Sequence, residues 1–257
     1  MKTAKSPDRG YPDQANALAQ SESHTPIEAL TVGKHRQGRQ PQNGPVAMTN
    51  PNDVPSELAP AAITRQMQQR AIATRAAILA EAAKSFDASG YSSASVNSLI
   101  ANSNLTKGAI FHHFPSKGAI AQNLVQGWTS AAEEAFSEAA TTGEPSSARL
   151  RAVFLDLANQ IENDVQLRAG MKLTLEPAVE GAHQAYRQWV DATSEVVEDG
   201  IADATIGDSA LGHRLAWNLC AGFAGAVNAI PALREDLDLP TRIDDLLTVH
   251  LATVAMR

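Results

Sequence analysis

Ser95-Val-Asn-Ser-Leu-Ile-Ala101 and, after a short turn, Leu105-Thr-Lys-Gly-Ala-Ile-Phe-His-His-Phe-Pro-Ser-Lys117 decide how the chain folds. Ser95 has the side chain of an N-cap, an oxygen placed to take a backbone N–H left free in the first helical turn. A short helix therefore starts at Val96, with Val96, Leu99 and Ile100 on its inner face. Asn102 to Leu105 reads as a turn, and Thr106 opens a second short helix whose inner residues are Ile110 and Phe114. Pro115-Ser116 breaks that helix, and Ser116 caps a longer one running through Trp128 towards Phe136. Two short helices across a tight turn, held by Val96, Leu99, Ile100, Leu105, Ile110 and Phe114, form a helix-turn-helix.

Such a unit lays its second helix in the major groove of DNA, where the N-terminal residues meet phosphates and base edges. Thr106 puts a hydroxyl beside a helix N-terminus, which favours a phosphate, and Lys107 adds a point charge. Gly108 and Ala109 have almost no side chain, so nothing holds the helix away from the duplex. Phe111 and His112 follow on the same helix, and Lys117 opens the next. Together with Ser95 these are the candidate DNA contacts. His112-His113 does not read as a metal site, because adjacent residues diverge by about 100° on a helix and no third ligand is near.

The charge distribution fits this reading. The chain has 257 residues and a net charge of −7. Residues 1–60 carry six basic and six acidic groups. Residues 61–127 carry Arg65, Arg70, Arg75, Lys84, Lys107 and Lys117 against Glu81 and Asp87, a balance of +4. Residues 128–257 carry nine basic and twenty acidic groups, a balance of −11. Phosphate attraction is decided within a Debye length of about 10 Å, so a local basic block outweighs the overall acidity.

Upstream, the first sixty residues hold eight of the thirteen prolines and only 17 hydrophobic residues. No helical or alternating period survives there, and residues 1–61 are expected to be a disordered tail. Two readings of it stand: a flexible arm, or sequence lying ahead of a start at Met48. No basic-then-apolar leader opens the chain, and its one cysteine, Cys220, cannot close an intramolecular disulfide, so a reducing cytoplasm is expected.

From Ala62 onward the pattern is helical. Ile72, Leu79, Ala82, Ala83 and Phe86 are expected on one face of a first helix, with Gly90 as its stop. After a loop at Thr141–Pro145, helices are expected at 146–163, 165–176, 180–204, 209–230 and 240–256, with breaks at Pro177, Gly207 and Pro240. No segment alternates like a strand. The expected fold is all-α, with a helix-turn-helix DNA-binding domain over 62–120 and a helical ligand-binding and dimerisation domain over 121–257. The uncharged run Leu215–Leu233 contains Asn218, Asn228 and Pro231, so it reads as a buried helix of a soluble protein and not as a membrane span.

The opening stretch, with Thr74-Arg-Ala-Ala-Ile-Leu79 and Phe86-Asp-Ala-Ser-Gly-Tyr91 before it, resembles the DNA-binding domain of the TetR family of repressors over about residues 70–125. The resemblance implies that Thr106, Lys107, Gly108, Phe111, His112 and Lys117 line the DNA. It also implies a homodimer made through the last two helices. Asn104 stands where the family usually has glycine, and Asn is the next-best residue for a left-handed turn. Phe111 stands where a tyrosine commonly gives its hydroxyl to a phosphate, so that contact is lost or passes to His112. Leu167-Arg-Ala-Gly-Met-Lys-Leu-Thr-Leu-Glu176, with Trp189 thirteen residues later, is similar to the γ-butyrolactone receptor branch of antibiotic-producing actinomycetes. In that branch the tryptophan matching Trp189 closes over the ligand. The resemblance therefore implies a repressor of antibiotic or other secondary-metabolite genes. It would bind an inverted-repeat operator and be released by a γ-butyrolactone, butenolide or furan signal. A pseudo-receptor or ligand-independent regulator would share the same DNA-binding half.

Several residues keep two readings. Trp128, Phe154, Trp189 and Trp217 line a ligand pocket or fill the core. Arg168 and Lys172, four apart, clamp a carboxylate or lactone carbonyl if they face inward, or lie on a solvated face. The Ala221-Gly-Phe-Ala-Gly225 stretch makes a close helix contact across a dimer or within the chain. Cys220 has no basic neighbour and reads as an inert buried thiol. The sequence carries no glycine-rich phosphate loop, metal-ligand spacing or nucleophile elbow, so neither an enzyme nor a cofactor is expected.

Overall fold

Nine helices account for the described part of the chain, which in the computed structural model is residues 58–101, 105–229 and 237–255, with side chains from Ile63 onward. They are α1 (Leu58–Ser93), α2 (Val96–Ala101), α3 (Lys107–His113), α4 (Lys117–Ala140), α5 (Ser146–Asn163), α6 (Val165–Leu173), α7 (Ala182–Ala202), α8 (Leu215–Ala229) and α9 (Leu239–Val254). The expected tail lies outside the described residues as far as position 57, and its last four positions are helical instead. The turn residues Asn102, Ser103 and Asn104, and residues 230–236, also lie outside the described residues.

The first helix buries the expected face from Ile78 onward, with Leu79 half-buried, and departs from it only at Ile72. Ile78, Ala82, Ala83 and Phe86 are buried, whereas Ile72 is 69% exposed. Gly90 does break the helix: its φ of 76° is one that residues with a Cβ rarely adopt. Other boundaries shift for local reasons. α6 ends at Leu173, short of the expected 176, and α8 begins at Leu215 after a run of turns over 209–214. Pro240 marks the start of the last helix, as expected. It sits in the first turn of α9, where a missing N–H costs nothing, and Asp238 caps that helix by accepting from the Thr241 N–H.

The buried side chains form two cores. One gathers Ile78, Phe86, Leu99, Ile110, Phe114, Ile120 and Leu124 under the helix-turn-helix, and the other surrounds Trp128, Phe154, Trp189, Phe223 and Leu247. Both α4 and α6 belong to the two at once. Ala169 and Leu173 of α6 face the first core while Met171 faces the second. Gly170 between them lets α6 lie directly on the α4 backbone, since a Cβ there would meet the Leu124 carbonyl oxygen at 2.2 Å. Any displacement of α4 in the body is therefore felt in the head.

Within α8, Gly222 packs inside the chain, where a Cβ would meet the Leu246 methyls at 2.9 Å, while Gly225 faces open space. Trp217 is 63% exposed, so it neither lines a pocket nor fills the core. Among the described residues no helix is long and apolar enough to cross a membrane.

Candidate nucleic-acid interface and ligand cleft

The helix-turn-helix is built from local caps. Ser95 and Ser98 satisfy each other: the Ser98 N–H donates to the Ser95 hydroxyl at 3.0 Å and the Ser95 N–H to the Ser98 hydroxyl at 3.1 Å. Thr106 caps α3 by accepting from the Ala109 N–H at 3.1 Å, and Ser116 caps α4 in the same way from Ala119 at 3.1 Å. Leu99, Ile110 and Phe114 are buried, and Val96, Ile100 and Leu105 pack against them half-buried. This fixes which face of α3 looks outward.

That outer face holds Thr106, Lys107, Gly108, Phe111 and His112, all exposed, with Ala109 half-buried. A Cβ at Gly108 would meet nothing within 4 Å, so the helix presents bare backbone there. Phe111 is 44% exposed, and the Lys107 ammonium lies 6.0 Å from its ring. The Ser95 hydroxyl is already used as a cap. Lys117 departs from the expected set. Its Nζ turns inward and donates to the carbonyls of Tyr91 at 2.8 Å and Ala94 at 3.0 Å, and it lies 4.1 Å from the Tyr91 ring centre. It ties the end of α1 to the start of α4, so its charge is spent inside the head.

A cleft of about 350 Å³ opens between α4 and α7. Trp128 and Trp189 form its floor, Ala132, Phe136, Ala185 and Ala192 its apolar walls, and Glu133, Asp191 and Glu195 its rim. The two indoles meet edge to face, with centroids 5.3 Å apart. Both are almost fully buried, and among the described residues neither indole Nε1–H has an acceptor. Behind them stand Phe154 and Phe223, 5.7 and 5.4 Å from the Trp189 ring.

Three expected ligand contacts are not at this cleft. Phe154 is fully buried behind the tryptophans and belongs to the core. Arg168 and Lys172 close instead on one carboxylate, that of Asp87 on α1, at 3.0 and 2.9 Å. Their charges brace α6 to α1, because a half-buried cation needs a nearby anion more than a solvated one does. Glu133, Asp191 and Glu195 were not expected at a site, since acidic residues on amphipathic helices read as solvated faces. The available signal was their register: Thr129, Ala132, Glu133 and Phe136 share one face of α4, and Gln188, Asp191, Ala192 and Glu195 one face of α7.

An all-helical body carries a helix-turn-helix head, with an open cleft against α4, the helix that leaves the head. Residues 78–124 match the family model of bacterial regulatory proteins, tetR family. The chain is 32% identical over 133 residues to the A-factor receptor protein of Streptomyces griseus, a stretch covering 52% of this chain and 46% of that protein. The aligned part thus spans less than half of that relative's length. The fold is also that of a γ-butyrolactone receptor, an ArpA-like protein, with a TM-score of 0.64 at 21% identity over 72% of this chain and 90% of the other. CprB from Streptomyces coelicolor, solved in complex with its biological operator sequence, has a TM-score of 0.64 at 22% identity over 73% of this chain and 90% of its own.

Proposed function

We propose that the chain is a homodimeric, ligand-responsive transcriptional repressor. It reads an inverted-repeat operator with α3 and releases it when a small signal of γ-butyrolactone, butenolide or furan type enters the cleft between α4 and α7. The observation that carries this reading is the open cleft against α4 lined by Trp128 and Trp189, two indoles whose buried N–H groups have no acceptor among the described residues. A buried donor left without an acceptor costs about 1–3 kcal/mol. A ring oxygen or carbonyl of a lactone or furan would supply the acceptor once an indole turns its N–H to the cleft, and an alkyl chain would lie on Ala132, Phe136, Ala185 and Ala192. The rim of Glu133, Asp191 and Glu195 disfavours anions and suits a neutral molecule. The similarity to the A-factor receptor and to γ-butyrolactone receptors favours the same class.

Thr106, Lys107, Gly108, Phe111 and His112 are the DNA contacts in this reading. The exposed Trp217 on α8 and Val249 on α9, at 63% and 64%, supply an apolar face for a second copy. The two heads then read half-sites about 34–36 Å apart or a multiple of that. The ligand acts through α4, which carries cleft residues and leads directly from the head. It releases DNA only as far as it prefers the non-binding conformation, whatever its absolute affinity. The protein is a regulator and not an enzyme, it works in the cytoplasm, and its targets are antibiotic or other secondary-metabolite genes.

The test is a gel shift of DNA flanking its own gene, with and without an organic extract of the source culture, using wild type and Trp189→Phe. A shift lost with extract, at a higher extract dose for the variant, is expected. Phenylalanine keeps a ring in the aromatic core and removes the N–H, whereas truncation to alanine would cost about 3–5 kcal/mol of packing and confound the result. A shift indifferent to extract would leave a ligand-independent regulator, and no shift even at low salt would remove DNA from the reading.

A further inference from the structure

α1 starts twenty residues before Ile78, its first buried side chain among the described ones, and that overhang lies outside the residues matching the family model. From Ile63 to Ala77 every side chain is exposed except the half-buried Thr74. At 1.5 Å per residue, Leu58 to Ile78 makes about 30 Å of helix. Two anchors fix where it points. On the body side, Asp87 ties α1 to Arg168 and Lys172 of α6. Twelve residues earlier, Arg75 hydrogen-bonds Asn123 of α4, and its guanidinium lies 4.9 Å from the ring of Phe114, the C-cap of α3. With falling residue number α1 therefore runs from the body to the recognition helix, and the segment before Arg75 continues past the head.

Its chemistry is one-sided. Between Leu58 and Ala80 there is no acidic residue, and Arg65, Arg70 and Arg75 are accompanied by Gln66, Gln68 and Gln69. Ile63, Met67 and Ile72 are exposed as well, at 58%, 66% and 69%. They do not make a stripe. At about 100° per residue Ile72 lies opposite Ile63, and Arg70 sits beside Ile63 and Met67. Arg65, Gln66, Gln69 and Arg70 fall within about 140° of one another, on the side of the overhang away from Met67 and Ala71. An uncovered cationic helix without acids fits the phosphodiester backbone.

We infer that the α1 overhang is a DNA-binding arm, with Arg65 and Arg70 contacting phosphates beyond those reached by α3. The inference rests on the DNA-binding reading proposed above, and the test separates the two. The full-length chain first selects a duplex from random-sequence DNA; if it selects none, the DNA-binding reading fails and the arm with it. With a duplex in hand, Arg65→Gln/Arg70→Gln is compared with wild type across a salt series. Glutamine preserves helix propensity. The double variant is expected to bind about tenfold more weakly at physiological salt. Its slope of log affinity against log salt should flatten by about two units per protomer. Arg187→Gln, exposed on α7, should shift neither. An unchanged slope overturns the arm even if affinity falls. A double variant whose free protein changes oligomeric mass also overturns it, because the overhang would then serve a second copy of the chain.

Discussion

Asp87 on α1 and Lys172 on α6 meet at 2.9 Å, and Arg168 closes on the same carboxylate at 3.0 Å. Lys172 also donates to the Asp87 backbone carbonyl at 3.1 Å, and Arg168 to that of Ile161 at 2.9 Å. The three side chains are 15–25% exposed, so water screens the pairs only partly. Asp87→Asn leaves two cations facing a neutral amide. The expected loss is about 1–2 kcal/mol, discounted from the larger cost of breaking a fully buried pair. Thermal unfolding followed by circular dichroism should show Tm lowered by about 3–6 °C. An unchanged Tm would mean that the brace contributes nothing to the fold.

Lys117 and Lys107 are both lysines at the start of a helix, and their variants should separate cleanly. Lys117→Met keeps the apolar stem but leaves the Tyr91 and Ala94 carbonyls without their donor. Stability should fall by about 1–3 kcal/mol in a denaturant titration, with the salt slope of DNA binding unchanged. Lys107→Ala removes an exposed charge, so its Tm should hold while the salt slope flattens by about 0.9 per protomer. The opposite pattern would return Lys117 to the DNA contacts.

The reading head was legible because its signals are local. Ser95, Thr106 and Ser116 each cap within three residues, and Leu99, Ile110 and Phe114 fall inward by helical period alone. The cleft was legible only at Trp189 and Trp128. Its acidic rim becomes a rim when α4 meets α7, and nothing along either helix encodes that meeting. Arg168 and Lys172 pair with a carboxylate 81 and 85 residues away, a distance across which spacing arguments carry no information. Phe154 and Trp217 have the same aromatic character in sequence, yet one is fully buried and the other 63% exposed. Which apolar face a helix covers depends on its neighbours, not on its own period.

Cys220 lies fully buried, 3.4 Å from the Thr193 hydroxyl. Burial pushes its thiol up to about 12, against a smaller opposing effect of the Thr193 hydrogen bond. Tyr186 is also pushed up to about 12, first by burial and then by the charge a Cys220 thiolate would bring. At pH 8 the thiolate fraction is then about a thousandfold below that of an exposed cysteine, and reactivity follows the thiolate. Ellman's reagent should find no thiol in the native chain and one per chain in denaturant. Prompt reaction of the native protein would show that this part of the body opens readily.

His213, just ahead of α8, has its Nδ1 3.1 Å from the Glu198 carboxylate and its Nε2 2.9 Å from that of Asp208. The two hydrogen bonds, Glu198 first, raise its pKa above the ordinary 6.5. A raised folded value means that the proton binds more tightly in the folded state. The resulting stabilisation is therefore complete below pH 6.5 and is lost as pH rises through the elevated folded pKa. All three groups are exposed, so added salt should weaken the effect at any pH. The Tm gap between wild type and His213→Gln should be present at pH 5.5 and close in alkaline buffer. An NMR titration of the His213 ring should give a midpoint above 6.5 that moves back down in Glu198→Gln. A midpoint at or below 6.5 in the wild type would mean that the two carboxylates do not hold the ring in solution.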